Sequence, residues 1–492
     1  MRKFLHRQIM IQTLNKKYPR LLLGLLFTGI FILVGVGTYN VYKPLPDGLS
    51  FAGQVRTASE IAFYRDLTWV DPEGRRHSQQ EIFDKVLKMI AEAKDLVVLD
   101  MFLFNDFMGK EKAPYRSLAQ EITDALVKQK IKYPEMLIVV ITDPINTVYS
   151  SMKNSYFERM KAEKIYVVFT KLEQLRDSNP AYSAFWRIFI KPFGSSPGSL
   201  LPNPFGKGRV SLRSYLDMFN FKANHRKVII SDTEDGYSGL ITSANPHDGS
   251  SAHGNVAIYF KGPAVSDLLQ SEKAVLRFSG GPNLSLNPAA RLKSTDTETT
   301  VQILSERKIK DFLISVLSQA GAGDKLALIV FYFSDRDIIH ALKKAYSRGA
   351  AVQVLLDPNK DAFGREKNGI PNRQVAFELA KLGIPVRWSN THGEQSHAKM
   401  LLAEYKKGKS MVILGSANFT RRNLNNLNLE TDIAVFGSGD IPIFLDVRNY
   451  FDMQWHNKDG KIFSVDFNDY SDESFHRRML YYWMERTGMS TF

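Results

Sequence analysis

Two short segments that lie far apart in this chain share one pattern: a histidine, a lysine two positions later, and an acidic residue five positions after the lysine. These residues are His225, Lys227 and Asp232 in NHRKVIISD, and His397, Lys399 and Glu404 in SHAKMLLAE. Because side chains two positions apart point to the same face of an extended strand, each segment places an imidazole beside an ammonium group. The apolar residues after each lysine predict a strand buried in a sheet. Such a chain is expected to contain two similar units.

Each of these segments is followed by a second apolar run that ends in Ser-Ala-Asn. The tripeptides contain Ser243 and Asn245 in the first half, and Ser416 and Asn418 in the second. Small residues let the backbone approach a ligand closely, and a serine hydroxyl or an asparagine amide can hydrogen-bond a phosphate. One such tripeptide is an ordinary turn sequence, but its recurrence beside both motifs predicts that these four residues bind phosphate.

The duplication extends over most of the chain. Each half contains three units in which a helix leads into an apolar strand, and these units end near residues 107, 146 and 170 and near residues 334, 360 and 389. In the first helix, Ile82, Val86, Met89 and Ile90 form an apolar stripe. The alternation predicts an α/β protein with two similar lobes, each a mixed, largely parallel sheet flanked by helices. We expect a pseudo-twofold axis between the lobes and an active site at their interface.

An insertion and the two ends of the chain lie outside the duplication. The predicted divisions are a basic tail at residues 1–20, a membrane anchor at 21–42, a linker at 43–74, a first lobe at 75–275 with an insertion at 171–221, a second lobe at 276–460 and an appendage at 461–492. Within 182–210 of the insertion, aromatic residues alternate with cations, which suits contact with a membrane interface. An ordinary lid with its own small core fits this composition equally well, and so does stacking on single-stranded bases.

The paired motifs resemble those that define the phospholipase D superfamily, over residues 75–460. The stretch GSANFTRRNLNNLNLETDIAV is similar to the second-motif region of bacterial cardiolipin-synthase-like members, and within it Glu430 matches an acidic position of the family. The sequence departs from the pattern at Glu404, where the family has Asp, and at Thr242, which stands where the second half has Gly415. The resemblance implies two phospholipase D-type lobes.

The residue types suit the cleavage of phosphodiesters. The negative charge of a phosphodiester repels nucleophiles, so catalysis needs cations on its oxygens, which Lys227 and Lys399 can supply, and a nucleophile in line. The resemblance implies a two-step reaction in which one histidine attacks phosphorus and the other protonates the leaving alkoxide, before water or an alcohol attacks the phosphohistidine. It favours His225 as the nucleophile and His397 as the acid and base, with no metal or cofactor.

Three carboxylates are candidates for orienting or charge-stabilising the imidazoles: Asp232, Glu404 and Glu430. A zinc site is a weaker interpretation of the same residues, because a lysine beside each histidine opposes metal binding. His247 and His253 lie in a loop after the first Ser-Ala-Asn, and loop histidines of this kind are more often structural or solvated. We therefore leave both out of the predicted site.

Residues 21–42 carry no charged side chain and are long enough to cross a bilayer as a helix. Six basic residues and no acidic residue precede them, which predicts a cytoplasmic N-terminus and an extracytoplasmic catalytic domain. A buried core helix and a cleaved signal peptide are the alternatives, but the long basic lead and the lack of an A-x-A site favour an uncleaved anchor.

The composition excludes thiol chemistry and indicates an anionic partner. The chain has no cysteine, which excludes disulfides, thiol catalysis and cysteine metal sites, and its net charge is +14. The leading hypothesis is an anchored phospholipase D-type enzyme that transfers a phospholipid's phosphatidyl group to water or to an alcohol. The alternatives are an anchored nuclease or other phosphodiesterase of the same superfamily, and a non-catalytic module that binds anionic ligands.

Overall fold

The fold is seen in a computed structural model that describes residues 2–110, 115–194, 197–284, 298–490 and 492, with side chains from residue 21 onward. The basic side chains on which the predicted membrane orientation rests lie outside this description. Helix α1 (Arg2–Tyr42) contains a 22-residue apolar span, Leu21–Tyr42, which is 6% buried and is the one candidate membrane span in the described part of the chain.

The first lobe is built on a sheet of eight strands. Across the sheet they are β3 (Arg76–Gln80), β2 (Glu60–Val70), β11 (Asn255–Lys261), β10 (Gly236–Thr242), β9 (Lys227–Thr233), β4 (Leu96–Met101), β5 (Leu137–Thr142) and β6 (Tyr166–Phe169). Strands β4, β5 and β6 are parallel to one another, and every other neighbouring pair is antiparallel.

The second lobe repeats this order in a sheet of nine strands. They are β1 (Arg56–Thr57), β12 (Thr300–Ser305), β20 (Thr431–Ser438), β19 (Lys409–Gly415), β18 (Lys399–Glu404), β13 (Lys325–Val330), β14 (Ala351–Leu356), β17 (Val386–Ser389) and β21 (Ser464–Asp466). The run from β12 to β17 matches the run from β2 to β6 strand for strand, and β13, β14 and β17 are again the parallel strands. The duplication read from the sequence is thus present in the topology, and the pseudo-twofold axis remains a prediction.

The helices occupy matching places in the two lobes. The three that precede the parallel strands are α2 (Ile82–Glu92), α3 (Leu118–Lys132) and α4 (Ser155–Ala162) in the first lobe, and α8 (Arg307–Gln319), α9 (Arg336–Ser347) and α10 (Asn372–Ala380) in the second; α7 (Ala264–Ser279) and α12 (Pro442–His456) follow the strands β11 and β20. The apolar stripe predicted for α2 is buried as expected. An α/β fold of mixed sheets flanked by helices is confirmed.

The two sheets share a central apolar core. Val228 and Ile230 of β9 belong to the same buried cluster as Met400 and Leu402 of β18, whereas Ile229 lies in the cluster beneath α2. Both faces of each sheet are therefore covered, which explains why the strands after the motifs are apolar without a break.

Two expectations need correction. The sheets are not largely parallel, because only three strands of each pair in parallel while the strands that carry the motifs are antiparallel to their neighbours. Residues 43–74 are more than a linker, since they contain β1 and β2, and β2 pairs with β11 over Glu60–Asp66 and with β3 over Asp66–Val70. Apolar and polar residues alternate only weakly along β2, most of whose side chains are partly buried. Its sequence therefore resembles that of a loop between elements.

The remaining elements lie outside the two main sheets. The insertion forms α5 (Pro180–Phe189), β7 (Leu201–Pro202), β8 (Arg209–Val210) and α6 (Leu212–Met218), while a small hairpin of β15 (Asp361–Ala362) and β16 (Arg365–Glu366), the short α11 (Arg421–Leu424) and the C-terminal α13 (Phe475–Thr487) belong to the second half. The connection from β17 to β18 is short, so the insertion has no counterpart at the equivalent place in the second lobe.

Candidate active site

The two histidine motifs meet across the interface between the lobes. The backbone N–H of His225 donates to the carbonyl of Leu429 in the second lobe at 2.9 Å, and that of His397 donates to the carbonyl of Gly254 in the first lobe at 2.8 Å. Each histidine thus lies against the residues that lead into a strand of the opposite lobe. The site lies at the carboxyl ends of β4 and β13, the edge where open α/β sheets usually bind ligands.

A carboxylate of the second lobe holds the imidazole of His225. The Nδ1 atom lies 3.0 Å from the Glu430 carboxylate, which also accepts hydrogen bonds from Ser416 and Asn423. Burial alone would raise the pKa of Glu430, but the His225 imidazole and the Lys227 ammonium hold it below its usual value. Burial lowers the pKa of His225 to about 4. The imidazole is therefore neutral near pH 7, with its proton on Nδ1 and a free lone pair on Nε2.

An amide of the first lobe takes the equivalent place beside His397. The Nδ1 atom of His397 lies 3.1 Å from Oδ1 of Asn255. The amide is fixed by two further bonds, since Oδ1 accepts from Ser243 Oγ at 2.9 Å and Nδ2 donates to the His253 carbonyl at 3.0 Å. Asn255 corresponds to Glu430, because each is the residue that the Ser-Ala-Asn serine of its own lobe contacts. The two imidazoles thus differ in the charge of their partners.

The environment of His397 opposes a positive charge. Burial lowers the pKa of His397 well below its usual value, and Lys399, His253 and Lys227 lower it further. Its hydrogen-bond partner is a neutral amide, and among the described residues no carboxylate bonds to this imidazole to offset these effects. The resting state therefore has an unprotonated Nε2 on His397 as well.

The two lysines are fully buried beside their histidines. The ammonium of Lys227 donates to the carbonyl of His225 at 2.7 Å, and Lys399 does the same to the carbonyl of His397. Burial lowers the pKa of Lys227 to about 7, and burial together with Lys227 lowers the pKa of Lys399 well below its usual value. A bound phosphate would favour the charged form of both groups.

Aromatic rings flank both pairs in the same way. The ring of Phe102 lies 4.8 Å from the imidazole of His225, and Lys227 lies 5.3 Å from its centre. The ring of Phe331 lies 4.9 Å from the imidazole of His397, and its distance to the Lys399 ammonium is 5.1 Å. These phenylalanines follow β4 and β13, and they limit the directions from which water reaches the histidines.

The Ser-Ala-Asn residues divide into two roles. Ser243 and Ser416 are fully buried and contact the partners of the imidazoles, so they hold those partners rather than face a ligand. Asn245 accepts from the backbone N–H of Leu103 at 3.1 Å, which leaves its NH2 group available for a phosphate oxygen. Oδ1 of Asn418 has no hydrogen-bond partner within the described residues. Of the four predicted phosphate ligands, the two asparagines remain candidates, and their phosphate binding stays a prediction.

The acidic residues of the two motifs lie away from the imidazoles. The Asp232 carboxylate accepts from the backbone N–H groups of Lys94, Asp95 and Leu96, at the opposite end of β9 from His225. Glu404 lies at the far end of β18, where it pairs with Arg448 at the surface. Neither orients an imidazole as expected, because five residues of strand separate each from its lysine, about 17 Å. Glu430 alone of the three candidate carboxylates contacts a histidine.

Two further residues, Asn255 and His253, lie beside His397 although no motif in the sequence marks them. Asn255 could have been found by aligning the two halves on their Ser-Ala-Asn tripeptides. His253, set aside as a loop histidine, is buried with its ring centre 5.9 Å from that of His397, and its Nδ1 accepts from the Gln395 backbone. His247 is structural, since both of its ring nitrogens bond to neighbouring loops. No cluster of three His, Cys, Asp or Glu side chains suited to a metal ion occurs in the described ranges.

The fold and the centre together define a duplicated α/β protein in which two histidine–lysine pairs, one from each lobe, meet at one interface. Residues 313–455 match the family model described as cardiolipin synthase, PLD-like domain. Phosphatidylserine synthase from Haemophilus influenzae Rd KW20 has a similar structure, with a TM-score of 0.56 and 12% identity over 92% of this chain and 97% of that chain.

A second solved structure matches about a third of this chain. The phospholipase D family member Nuc from Salmonella typhimurium is 19% identical over 34% of this chain and 99% of its own length, with a TM-score of 0.28. A comparison with curated proteins finds no match. The second lobe carries a phospholipase D-like domain, as its part of the paired motifs indicated, and the chain as a whole shares the fold of the phosphatidylserine synthase.

The amide beside His397 leads to a pH prediction. The sequence analysis predicts His397 as the acid. An acid catalyst must carry a proton, so the rate is expected to fall as pH rises past its pKa, and a low pKa places this fall at low pH. In Asn255→Asp, the new anion favours the charged imidazole and raises its pKa. We expect the falling limb of kcat/KM to move to higher pH, with a gain of about threefold or more at pH 8.

The exposed Asn468 offers a matched control. The Asn468→Asp change introduces the same charge far from the centre and should leave the pH profile unchanged. A profile of Asn255→Asp that overlays the unmodified protein's would contradict the role of Asn255 in setting the protonation of His397.

Proposed function

We propose that this protein is a membrane-anchored phospholipase D-type phosphodiesterase or phosphatidyltransferase that acts on phospholipids through a phosphohistidine on His225. The observation that carries the proposal is the reciprocal arrangement across the interface. Each lobe supplies one histidine–lysine pair and also the hydrogen-bond partner of the other lobe's histidine. The phospholipase D-like domain at residues 313–455 supports phosphodiesterase or phosphatidyltransferase chemistry in general.

In the first step, the free Nε2 lone pair of His225 attacks phosphorus while the bond to the leaving alkoxide breaks. Glu430 fixes the imidazole through Nδ1 and stabilises the positive charge that develops on it. The leaving oxygen takes a proton from Nε2 of His397. Lys227 and Lys399 offset the negative charge on the non-bridging oxygens.

His397 must acquire its acid proton with the substrate. At rest this imidazole is neutral, because burial and the nearby ammonium groups oppose its charge. A phosphodiester anion between the lobes adds a negative charge next to the imidazole and raises its affinity for a proton. His397 is therefore protonated when the substrate is bound.

In the second step, an incoming hydroxyl attacks the phosphohistidine and the bond from phosphorus to Nε2 of His225 breaks. His397, now unprotonated, accepts the proton of that hydroxyl. Water as acceptor gives phosphatidic acid, and an alcohol, including the glycerol headgroup of another lipid, gives a new phosphodiester. The buried position of the centre restricts access by water, which favours a bound alcohol.

The apolar N-terminal helix supports an anchored enzyme. Its span is long enough for a bilayer and almost fully exposed in the isolated chain. We place the N-terminus in the cytoplasm and the lobes outside, following the basic residues that precede the span. We keep the division into two lobes, an insertion and an appendage as a proposal, with residues 43–74 and the strand β21 of the appendage assigned to the sheets that they join.

A nuclease of the same superfamily is the second candidate, since the net charge of +14 also suits nucleic acid. The discriminating assay supplies the full-length protein in mixed micelles with labelled phosphatidylglycerol or with labelled single-stranded DNA, with and without added glycerol. We expect lipid turnover, a new phosphodiester product when glycerol is present, and no cleavage of DNA. Cleavage of DNA without lipid turnover would establish the nuclease instead, and binding of either without turnover would indicate a non-catalytic module.

A further inference from the structure

The last turns of the apolar span are attached to the insertion. A side chain at Gly37 would contact the Pro180 carbonyl and the Ala184 Cβ at 3.5 and 3.6 Å, so α1 passes close to α5 there. The carbonyl of Asn40 accepts from the backbone N–H of Asp177 at 3.0 Å. Just beyond the span, the Lys43 ammonium donates to the Glu173 carbonyl at 2.8 Å. Helix α5 therefore lies beside the end of the membrane span.

The side of α5 that faces away from the protein is aromatic. Phe185 and Phe189 stand one turn apart with exposed fractions of 45% and 52%, and Phe193 follows with 73%. Lys191, between Phe189 and Phe193 in the chain, forms an ion pair with Glu173. Because Gly37 belongs to the apolar span itself, a helix packed against it reaches the depth at which acyl chains meet headgroups. At that depth exposed aromatic rings are favourable, whereas in water they are costly.

The C-terminal helix α13 reaches the same edge of the molecule. The Cα of Gly488, which follows α13, lies against the backbone of Ser178, the residue after the one bonded to Asn40. Large apolar side chains are exposed along α13: Phe475, Met479, Leu480, Tyr482 and Trp483. Two basic residues, Arg477 and Arg478, lie in the first turn of the same helix. Two separate segments thus present aromatic and basic surfaces next to the end of the span.

A series of contacts connects this edge to the catalytic centre. The Arg422 guanidinium donates to the carbonyl of Gly488 at 3.1 Å, and the ring of Phe492 lies 6.2 Å from that of Tyr332. Tyr332 in turn lies 4.1 Å from Phe331, the ring that contacts His397. The centre is therefore a few side chains away from the edge where the span ends.

We propose that the exposed faces of α5 and α13 form one docking surface, continuous with the membrane span, that seats the interface between the lobes against the bilayer in which the protein is anchored. The surface consists of Phe185, Phe189, Phe193, Phe475, Met479 and Trp483. The centre then receives lipid from the adjacent leaflet of its own membrane. This inference rests on the proposed function for the identity of the substrate, but the docking surface itself can be tested without turnover.

Contact with lipid is measured by tryptophan fluorescence. Trp483 of α13 is exposed and Trp186 of α5 is partly buried, whereas Trp388 and Trp455 are buried in the second lobe and the partly buried Trp69 of β2 packs against His77 and Phe463. In nanodiscs with lipids brominated near the headgroup end of the acyl chain, we expect strong quenching of the full-length protein. The quenchable signal should be lost in Trp186→Phe/Trp483→Phe. Equal quenching in that variant, or no quenching in the unmodified protein, would overturn the docking surface and favour a protein partner for these rings.

The origin of the lipid is tested in vesicles. Labelled substrate is placed either in the vesicles that carry the protein or in separate vesicles without protein, and we expect turnover at least tenfold faster in the first arrangement. In Phe185→Ser/Phe189→Ser/Trp483→Ser, turnover in the first arrangement should fall about tenfold through a higher apparent KM, with an unchanged unfolding temperature.

Ile131→Ser provides the matched control, because Ile131 of α3 is 62% exposed and lies outside this surface. Its variant should behave like the unmodified protein. An equal loss in the triple variant and the control would overturn the inference, and so would no loss in the triple variant. Absence of turnover in every arrangement, with quenching intact, would contradict the proposed function and leave the docking surface standing.

Discussion

Replacement of His225 by Asn is expected to lower turnover of a phosphodiester at least about 10⁴-fold, because it removes the nucleophile that forms the covalent intermediate. Asparagine keeps an amide near Glu430 and a similar volume, so the fold should be retained. The rate is measured with full-length protein and labelled lipid in mixed micelles. His340→Asn, at an exposed histidine of α9, makes the same chemical change away from the centre and should retain full activity.

The position of the phosphoryl group distinguishes this assignment from its alternatives. Since Glu430 occupies Nδ1 of His225, the intermediate should be a phosphohistidine linked through Nε2. Alkaline quenching followed by 31P NMR and peptide mapping would identify the residue and the ring nitrogen. A phosphoryl group on Nδ1, or on His397, would contradict the roles inferred from the geometry.

His397→Asn separates the two chemical steps. With a substrate whose leaving group is an activated phenol, the first step needs no acid, so this variant should still form the phosphohistidine. The second step needs a base for the acceptor hydroxyl, and the intermediate should accumulate. We expect a burst of about one phenol per enzyme molecule, followed by turnover about 10²–10⁴-fold slower than that of the unmodified protein. A burst in His225→Asn and none in His397→Asn would reverse the two roles.

Local spacing predicted the parts of the site that depend on one strand. The pairing of each histidine with its lysine, the buried strands that follow, and the duplicated helix–strand units all depend on side-chain periodicity within a few residues. The rise of a strand, about 3.3 Å per residue, also predicts that Asp232 and Glu404 lie outside the site, because each stands five residues beyond its lysine.

The contacts that cross between lobes had no local signal. Glu430 reaches His225, and Asn255 reaches His397, because segments far apart in the chain exchange backbone hydrogen bonds at the interface. That exchange depends on how two sheets pack face to face, which no periodicity in either segment encodes. The strand β2 was missed for a related reason, as its place beside β11 is fixed by tertiary pairing rather than by its own alternation.

A second large effect is expected for Arg226, the residue between the histidine and the lysine of the first motif. Its side chain is fully buried, points to the opposite side from Lys227, and lies between the two lobes. One end of the guanidinium contacts Glu272 of α7 at 3.1 Å, and the other contacts Glu306 of the second lobe at 2.6 Å. Glu306 also accepts from the backbone N–H of Glu430, so this ion pair supports the residue that holds His225.

Replacement by methionine, in Arg226→Met, leaves two buried carboxylates without their cation. Removing one partner of a buried ion pair typically costs about 3–5 kcal/mol, and we expect a loss of that size in the free energy of unfolding. Arg448→Met is the control, because Arg448 and Glu404 form a partly exposed pair for which a loss of at most about 1 kcal/mol is expected. Both are measured by denaturant unfolding of the full-length protein in detergent, followed by tryptophan fluorescence.

The pH dependence of this loss identifies its cause. Burial already raises the pKa of Glu272, and burial together with Glu272 raises that of the neighbouring Asp100 well above its usual value. Without the guanidinium the pKa values of Glu272 and Asp100 rise further. At low pH both carboxyls are neutral and cost little to bury, whereas at high pH they are either buried as anions or must take up protons, which destabilises the fold. A group with a raised folded-state pKa contributes stability below its unfolded pKa and loses it as pH rises through the folded value.

The deficit of Arg226→Met should therefore be smaller at pH 5 than at pH 8, and Glu272→Gln/Glu306→Gln added to it should recover part of the loss at pH 8. A deficit that is independent of pH would show that lost packing, rather than uncompensated charge, is responsible.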